Sequence, residues 1–172
     1  YLACYNAVNM KQEDCNMSQK SLSYWLKFVI IIMALCALAV HTAASLMLTV
    51  SEAEEIDKLR MPWLIFLWAS AIPILFAVII SWKTAANIGI GNAFCMQNAK
   101  HLKNIAICSA VDATWVLIGE TVLLLLNMNH PGIFLFSMVI VAIGVAISVA
   151  AACLSYYIKK AADLREQTEL TI

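Results

Sequence analysis

The stretch Ile105-Ala106-Ile107-Cys108-Ser109-Ala110-Val111-Asp112-Ala113-Thr114-Trp115-Val116-Leu117-Ile118-Gly119-Glu120-Thr121-Val122-Leu123-Leu124-Leu125-Leu126-Asn127-Met128 decides what kind of protein this is. As a helix it would be about 36 Å long, enough to cross the roughly 30 Å hydrocarbon core of a bilayer. It nevertheless carries two acids, Asp112 and Glu120, well inside its ends. A carboxylate facing lipid is costly, so each must meet a partner, water or its own proton. The segment is therefore both a wall of a helical bundle and a candidate site.

Working outward, the composition agrees. The chain has 172 residues, 63% hydrophobic and 13% charged, with a mean hydropathy of +0.83. Soluble domains run near half apolar and a quarter charged. Eleven basic residues balance eleven acidic ones, so no overall basic field invites nucleic acid as a direct partner. The cysteines at 4, 15, 36, 95, 108 and 153 form no CxxC pair, which argues against a disulfide framework or a zinc site. No metal or other cofactor is expected.

Three further apolar runs accompany the first. One spans about residues 24–50, opening with Tyr24, Trp25 and Lys27, whose rings and snorkelling amine suit a headgroup region. It is too long for a signal-peptide core and is expected to stay in the mature protein. A second spans about 62–82, with Pro62 suited to its first turn, Trp63 and Trp68 toward one interface and Trp82-Lys83 at the other. Pro73 within it removes a backbone hydrogen bond and predicts a kink. The last spans about 133–158, where Gly144, Ser148 and Ala152 recur every four residues, a small-residue stripe that lets helices pack closely in lipid. Residues 1–16 lack periodicity and precede Met17, so they read as an upstream extension or a disordered N-terminus ahead of a single membrane domain over 17–172.

Between the spans, Ser51-Glu52-Ala53-Glu54 carries a capping signature and opens an acidic helix outside the bilayer. The connection from Thr84 to Asn104 is the longest. Within it, residues 93–103 predict an amphipathic interfacial helix with Phe94, Ala99 and Leu102 on one face and Asn98, Lys100, His101 and Lys103 toward water. Asn127 to Gly132 reads as a tight turn. Lys20, Lys27, Lys83, Lys100, Lys103, Lys159 and Lys160 fall on one side of the spans and Lys58 and Arg60 on the other. The positive-inside rule then puts both termini and the long connection in the cytoplasm of a cell membrane.

The run Asn92-Ala93-Phe94-Cys95-Met96-Gln97-Asn98-Ala99-Lys100-His101-Leu102-Lys103-Asn104-Ile105 resembles the segment ahead of the third span in a bacterial membrane family defined only as domain of unknown function 2975. The ending Leu164-Arg165-Glu166-Gln167-Thr168-Glu169-Leu170-Thr171-Ile172 is similar to that family's terminus. The chain departs from the family pattern at Ala93, where proline is common, and at Gln97, where glutamate is common. The resemblance implies four spans. Because relatives are often encoded beside a small helix-turn-helix regulator, it also implies membrane-linked regulation with that regulator, or another cytoplasmic protein, as partner.

The residues able to carry chemistry are few. His41, with small neighbours Ala37, Ala44 and Ser45 at helical spacing, and Glu120 each lie roughly 12 to 14 Å below the outer surface. They form a plausible pair, either a static polar clamp or a proton-responsive contact. Asp112 sits nearer the cytoplasmic end, within reach of Lys27 or Lys83, again as a structural ion pair or a functional carboxyl. His101 and His130 read as solvated and turn residues, and the acids from Glu52 to Asp57 match no calcium loop. No nucleophile with its base and no phosphate-binding loop is present, so enzymatic chemistry is not expected.

The sequence thus predicts an all-α, integral membrane four-helix bundle with an amphipathic interfacial helix before the third span. Three functions fit it. The first is a regulatory or sensory protein acting through the cytoplasmic residues Phe94, Asn98, Lys100, His101 and Lys103. The second is a small proton-coupled transporter or channel using Asp112, Glu120 and His41, as a homo-oligomer. The third is a structural subunit of a membrane complex.

Overall fold

The computed structural model describes the backbone of residues 2–50 and 54–169 and the side chains of residues 19–50 and 60–168. Among the described residues it consists of four helices and no strand: α1 (Leu2–Val50), α2 (Glu54–Gly89), α3 (Met96–Leu125) and α4 (Pro131–Glu169). Each is long and apolar enough to cross a membrane. The protein is an all-α, integral membrane four-helix bundle.

Its burial pattern is that of a protein surrounded by lipid. Among the described residues the buried apolar ones are Ala85, Ala99, Ala106, Ala113, Ala151 and Leu123, five of the six being alanine, while Trp25, Leu35, Met47, Leu75, Phe136 and Val149 point outward. In water the large side chains would be inside. In lipid no hydrophobic force drives them there, and small residues instead let backbones approach.

The helices pack in chain order. Among the described residues α1 packs on α2, α2 on α3 and α3 on α4, and no α1–α4 contact closes the ring. The tightest seam joins α3 and α4. Ala99, Ala106, Ala113 and Glu120 recur at seven-residue spacing and are all buried, facing Ser137, Gly144 and Ala151, also seven apart. A Cβ on Gly144 would lie 3.2 Å from that of Ala113. Serine hydroxyls cross the seam to backbone carbonyls: Ser109 donates to Gly144 at 2.8 Å, Ser148 to Ala106 at 2.8 Å and Ser155 to Ala99 at 2.6 Å.

The seam corrects the four-residue stripe expected on α4. Gly144 and Ser148 belong to it, but Ala152 is exposed and Ala151 takes its place. Two steps of four residues carry a position about 80° around a helix, whereas a seven-residue step returns it to within about 20°. The longer period therefore holds one face against a neighbour over several turns.

The helices also run further than the apolar spans. α2 continues to Gly89 and α3 starts at Met96, so the long connection shrinks to residues 90–95. From Met96 onward, the run read as an interfacial helix leading into the third span forms the first turns of α3. Likewise α2 begins at Glu54, which puts Pro62 inside the helix rather than in its first turn, and the helix is unbroken through Pro73. The capping residue proposed at Ser51 lies outside the described residues, as do the side chains of the acidic loop. Residues 2–16 extend α1.

The short turns follow the sequence. Gly91 adopts a φ of 85° in the α2–α3 connection, a left-handed conformation in which a side chain would be strained. Asn127 does the same at 54° after α3. There Met128 N donates to Leu123 O at 2.8 Å and Asn127 N to Leu124 O at 3.1 Å, the paired bonds of a Schellman ending. His130 then opens α4, its Nδ1 accepting from Gly132 N at 3.1 Å, with Pro131 at the first helical position.

Candidate functional site

The four helices leave a cavity of about 480 Å³ between them. Val29, Met33 and Ala37 of α1, Pro73 and Ala77 of α2, Val116 of α3 and Ile140 and Ile147 of α4 contribute to its apolar wall. Asp112 lines it too, with Ser81, Ser109 and Cys108 as the other polar side chains. The Ser109 hydroxyl is committed to Gly144. Asp112 Oδ1 is buried and has no hydrogen-bond partner. Pro73 also cannot bond the Ala69 carbonyl one turn earlier, which frees an acceptor in the same helix.

Neither basic partner expected for Asp112 donates to its buried Oδ1. Lys27 Nζ lies 5.6 Å from the centre of the Trp82 ring, a cation–π contact at the lysine-rich end. Lys83 acts electrostatically on His101, whose Nδ1 is buried without a hydrogen bond. The ionisable group whose charge acts on Asp112 is His41. That ring is held by its own neighbours: Nδ1 donates to Ala37 O at 2.8 Å and Nε2 lies 3.3 Å from Ser70 Oγ. The Ser70 hydroxyl also reaches Leu67 O at 2.8 Å, so its proton has two alternative acceptors.

The expected His41–Glu120 hydrogen bond is not made. Glu120 is 4% exposed and accepts from Asn129 Nδ2 of the outer turn. The reason is the seam: Glu120 continues the Ala99–Ala106–Ala113 face toward α4, while His41 faces α2. The two acids of α3 are thus in different settings. Glu120 has an amide partner beneath a turn, whereas Asp112 opens onto a cavity.

Asn98 departs most from expectation. Predicted to face water, it is 0% exposed. Its Nδ2 donates to Asn92 O at 2.9 Å and Ala93 O at 3.0 Å, and its Oδ1 accepts from Asn87 Nδ2 at 2.9 Å. Its backbone N–H reaches Cys95 Sγ at 3.4 Å, which caps α3. A turn of backbone carbonyls needs donors, and a single amide supplies two. Phe94, Lys100 and Lys103 are exposed around it, and His101 is partly buried.

A smaller cavity of about 300 Å³ shares Ile30, Ser81 and Ile105 with the first and extends to Ala93 and Asn98. The two cavities therefore share part of a wall, and the second reaches the α2–α3 connection.

The model of a family described as protein of unknown function, DUF2975, matches residues 46–172. The chain belongs to the DUF2975 family. The uncharacterized membrane protein YoaS of Bacillus subtilis strain 168 is 29% identical over 143 residues, covering 82% of this chain and 88% of that protein. No solved structure matches. The DUF2975 match takes in α2, α3 and α4 and the last turns of α1, hence the whole α3–α4 seam and most of the cavity wall.

Sequence reasoning passed over Ser70, Asn87 and the cavity role of Pro73. The seven-residue recurrence of Ala99, Ala106, Ala113 and Glu120 was a readable signal, since it marks the buried face of α3 directly. Asn87 and Ser70 carried no such pattern, because their role depends on which turn of a neighbouring helix lies opposite.

Proposed function

We propose that this member of the family is a non-enzymatic sensory membrane protein, which binds a small molecule in the cavity beside Asp112 and acts through a cytoplasmic protein contact. The observation that carries this reading is the cavity itself, an apolar space of ligand size with one unpartnered carboxylate oxygen. Small-molecule sites are mostly apolar clefts of about 300–1,000 Å³ with few placed polar groups. The smaller cavity supports a route to the surface of Phe94, Lys100 and Lys103, since it ends at Asn98, the residue that holds the connection together. The partner we favour is a cytoplasmic regulator docking on that surface. The lysine distribution supports a plasma-membrane orientation with both termini and the connection inside.

Tagged protein isolated from cross-linked cells is expected to bring down one cytoplasmic partner, and Lys100→Glu with Lys103→Glu is expected to lose it. Failure to recover any partner, or recovery indifferent to the two charges, removes the regulatory output.

A proton-coupled carrier is the second reading, favoured by Asp112 lying in a cavity between α1 and α4, helices that do not meet. It predicts proton-linked flux in liposomes that Asp112→Asn abolishes. A sensor shows no flux in either protein.

A further inference from the structure

We propose that the cavity beside Asp112 takes a lipophilic organic monocation, a charged amine or onium centre carrying apolar bulk. This inference rests on the cavity being a ligand site and names the chemistry of its ligand. A carboxylate in an apolar enclosure is costly unless a counter-charge meets it. Here Oδ1 has no hydrogen-bond donor, and Lys27 lies over Trp82. An anion would be repelled and a neutral molecule would leave the carboxylate uncompensated. A bare inorganic cation needs several oxygen ligands, and the lining adds only the hydroxyls of Ser81 and Ser109, the latter turned to Gly144. An organic cation carries no tight hydration shell and brings apolar surface of its own. Val29, Met33, Val78, Val116, Ile140 and Ile147 offer the matching walls.

The open side of the bundle supplies the entrance. α1 and α4 both line the cavity, but among the described residues their backbones do not approach within 8 Å of each other. A molecule already dissolved in the membrane can therefore enter sideways, with no aqueous pore. Acid opposes the same occupant. The titratable groups around it are Asp112 and Cys108 on α3 and His41 on α1, and protonation removes the charge of Asp112 that would hold the cation; α2 and α4 add no titratable side chain to the lining.

The test uses full-length protein in nanodiscs, with tetraphenylphosphonium as the cation and N-phenyl-1-naphthylamine as a neutral apolar probe of comparable bulk. Tetraphenylphosphonium is expected to bind saturably, with affinity falling about tenfold or more in Asp112→Asn. Asp112→Glu should retain binding. The neutral probe should bind more weakly and be indifferent to Asp112→Asn, and Ala77→Trp, which fills the cavity, should lose both. Binding of the cation should fade as pH falls from about 8 to about 4, as proton and ligand compete for one carboxylate. Undiminished cation binding by Asp112→Asn overturns the inference, and so does binding unaffected by pH, which remains measurable if that variant does not fold. Neutral-probe binding lost in Ala77→Trp without any cation binding overturns the cation while leaving the cavity a ligand site. Binding of neither probe, with Ala77→Trp indistinguishable from the original chain, overturns both.

Discussion

At the scale of single residues, Asn98 and Gly119 make the sharpest claims. Asn98 answers two backbone carbonyls and one side-chain amide from a position closed to solvent. Asn98→Ala should leave those groups unpaired and lower stability by about 2–3 kcal/mol, read as a shifted unfolding midpoint in detergent. Asn98→Asp keeps the acceptor for Asn87 but loses both donors, so it should not rescue. A Cβ on Gly119 would overlap the Phe66 ring, which stacks on Trp115 at 6.0 Å. The Trp115 indole N–H also donates to Phe66 O at 3.2 Å. Gly119→Ala should therefore push the pair apart and cost about 1–3 kcal/mol, visible as altered tryptophan fluorescence together with a lower midpoint. Neither residue announced this in the sequence. Asn98 sat among Lys100, His101 and Lys103 and looked like part of a wet face, and the carbonyls that claim it come from a turn whose shape only the fold defines.

At the scale of elements, the α3–α4 seam was half legible. Small residues on α4 were visible as an interface, but the period was misread, because the step from Gly144 to Ser148 opens a four-residue stripe and equally the four-then-three alternation that makes a seven-residue repeat. Only Ala151 against Ala152 separates the two, and α3 decides it with Ala99, Ala106 and Ala113 at the longer period. Ala151→Leu should force the helices apart and destabilise by about 1–3 kcal/mol, while Ala152→Leu should be close to neutral. Equal effects would mean the helices cross with the shorter period. The serine bonds crossing this seam are individually modest. Ser148→Ala and Ser155→Ala should each cost about 0.6 kcal/mol and add nearly independently, as thermal melts of the single and double variants would show. The spans themselves were readable from apolar length alone, since a bilayer demands it. Their polar extensions were not, because a helix continuing into water is marked by propensity rather than by hydrophobicity.

At the scale of the whole molecule, the candidate site was legible in one residue and not in its surroundings. Asp112 drew attention because an acid inside an apolar span must be accommodated. That it faces a cavity, while Glu120 two turns away is capped by Asn129, depends on how four helices are arranged, which no spacing within one helix reveals. His41 and Glu120 shared a depth but not a face. The arrangement itself can be measured. Spin labels introduced at Leu22 and Tyr157, on α1 and α4, should give a broad distance distribution, whereas labels at Ile107 and Val149, across the α3–α4 seam, should give a narrow one. A narrow α1–α4 distribution would show a closed ring and would remove the sideways entrance.

Packing in chain order also governs how such a protein is made. Each helix leaving the ribosome finds its docking partner already inserted, because that partner is the helix synthesised just before it. No early segment has to wait, exposed, for a late one to close a ring. Assembly can therefore keep pace with translation, hairpin by hairpin, and its contacts span only short stretches of chain, the arrangement that favours fast folding. The same order leaves α1 fastened along one side only, so it can swing while the α3–α4 seam stays closed.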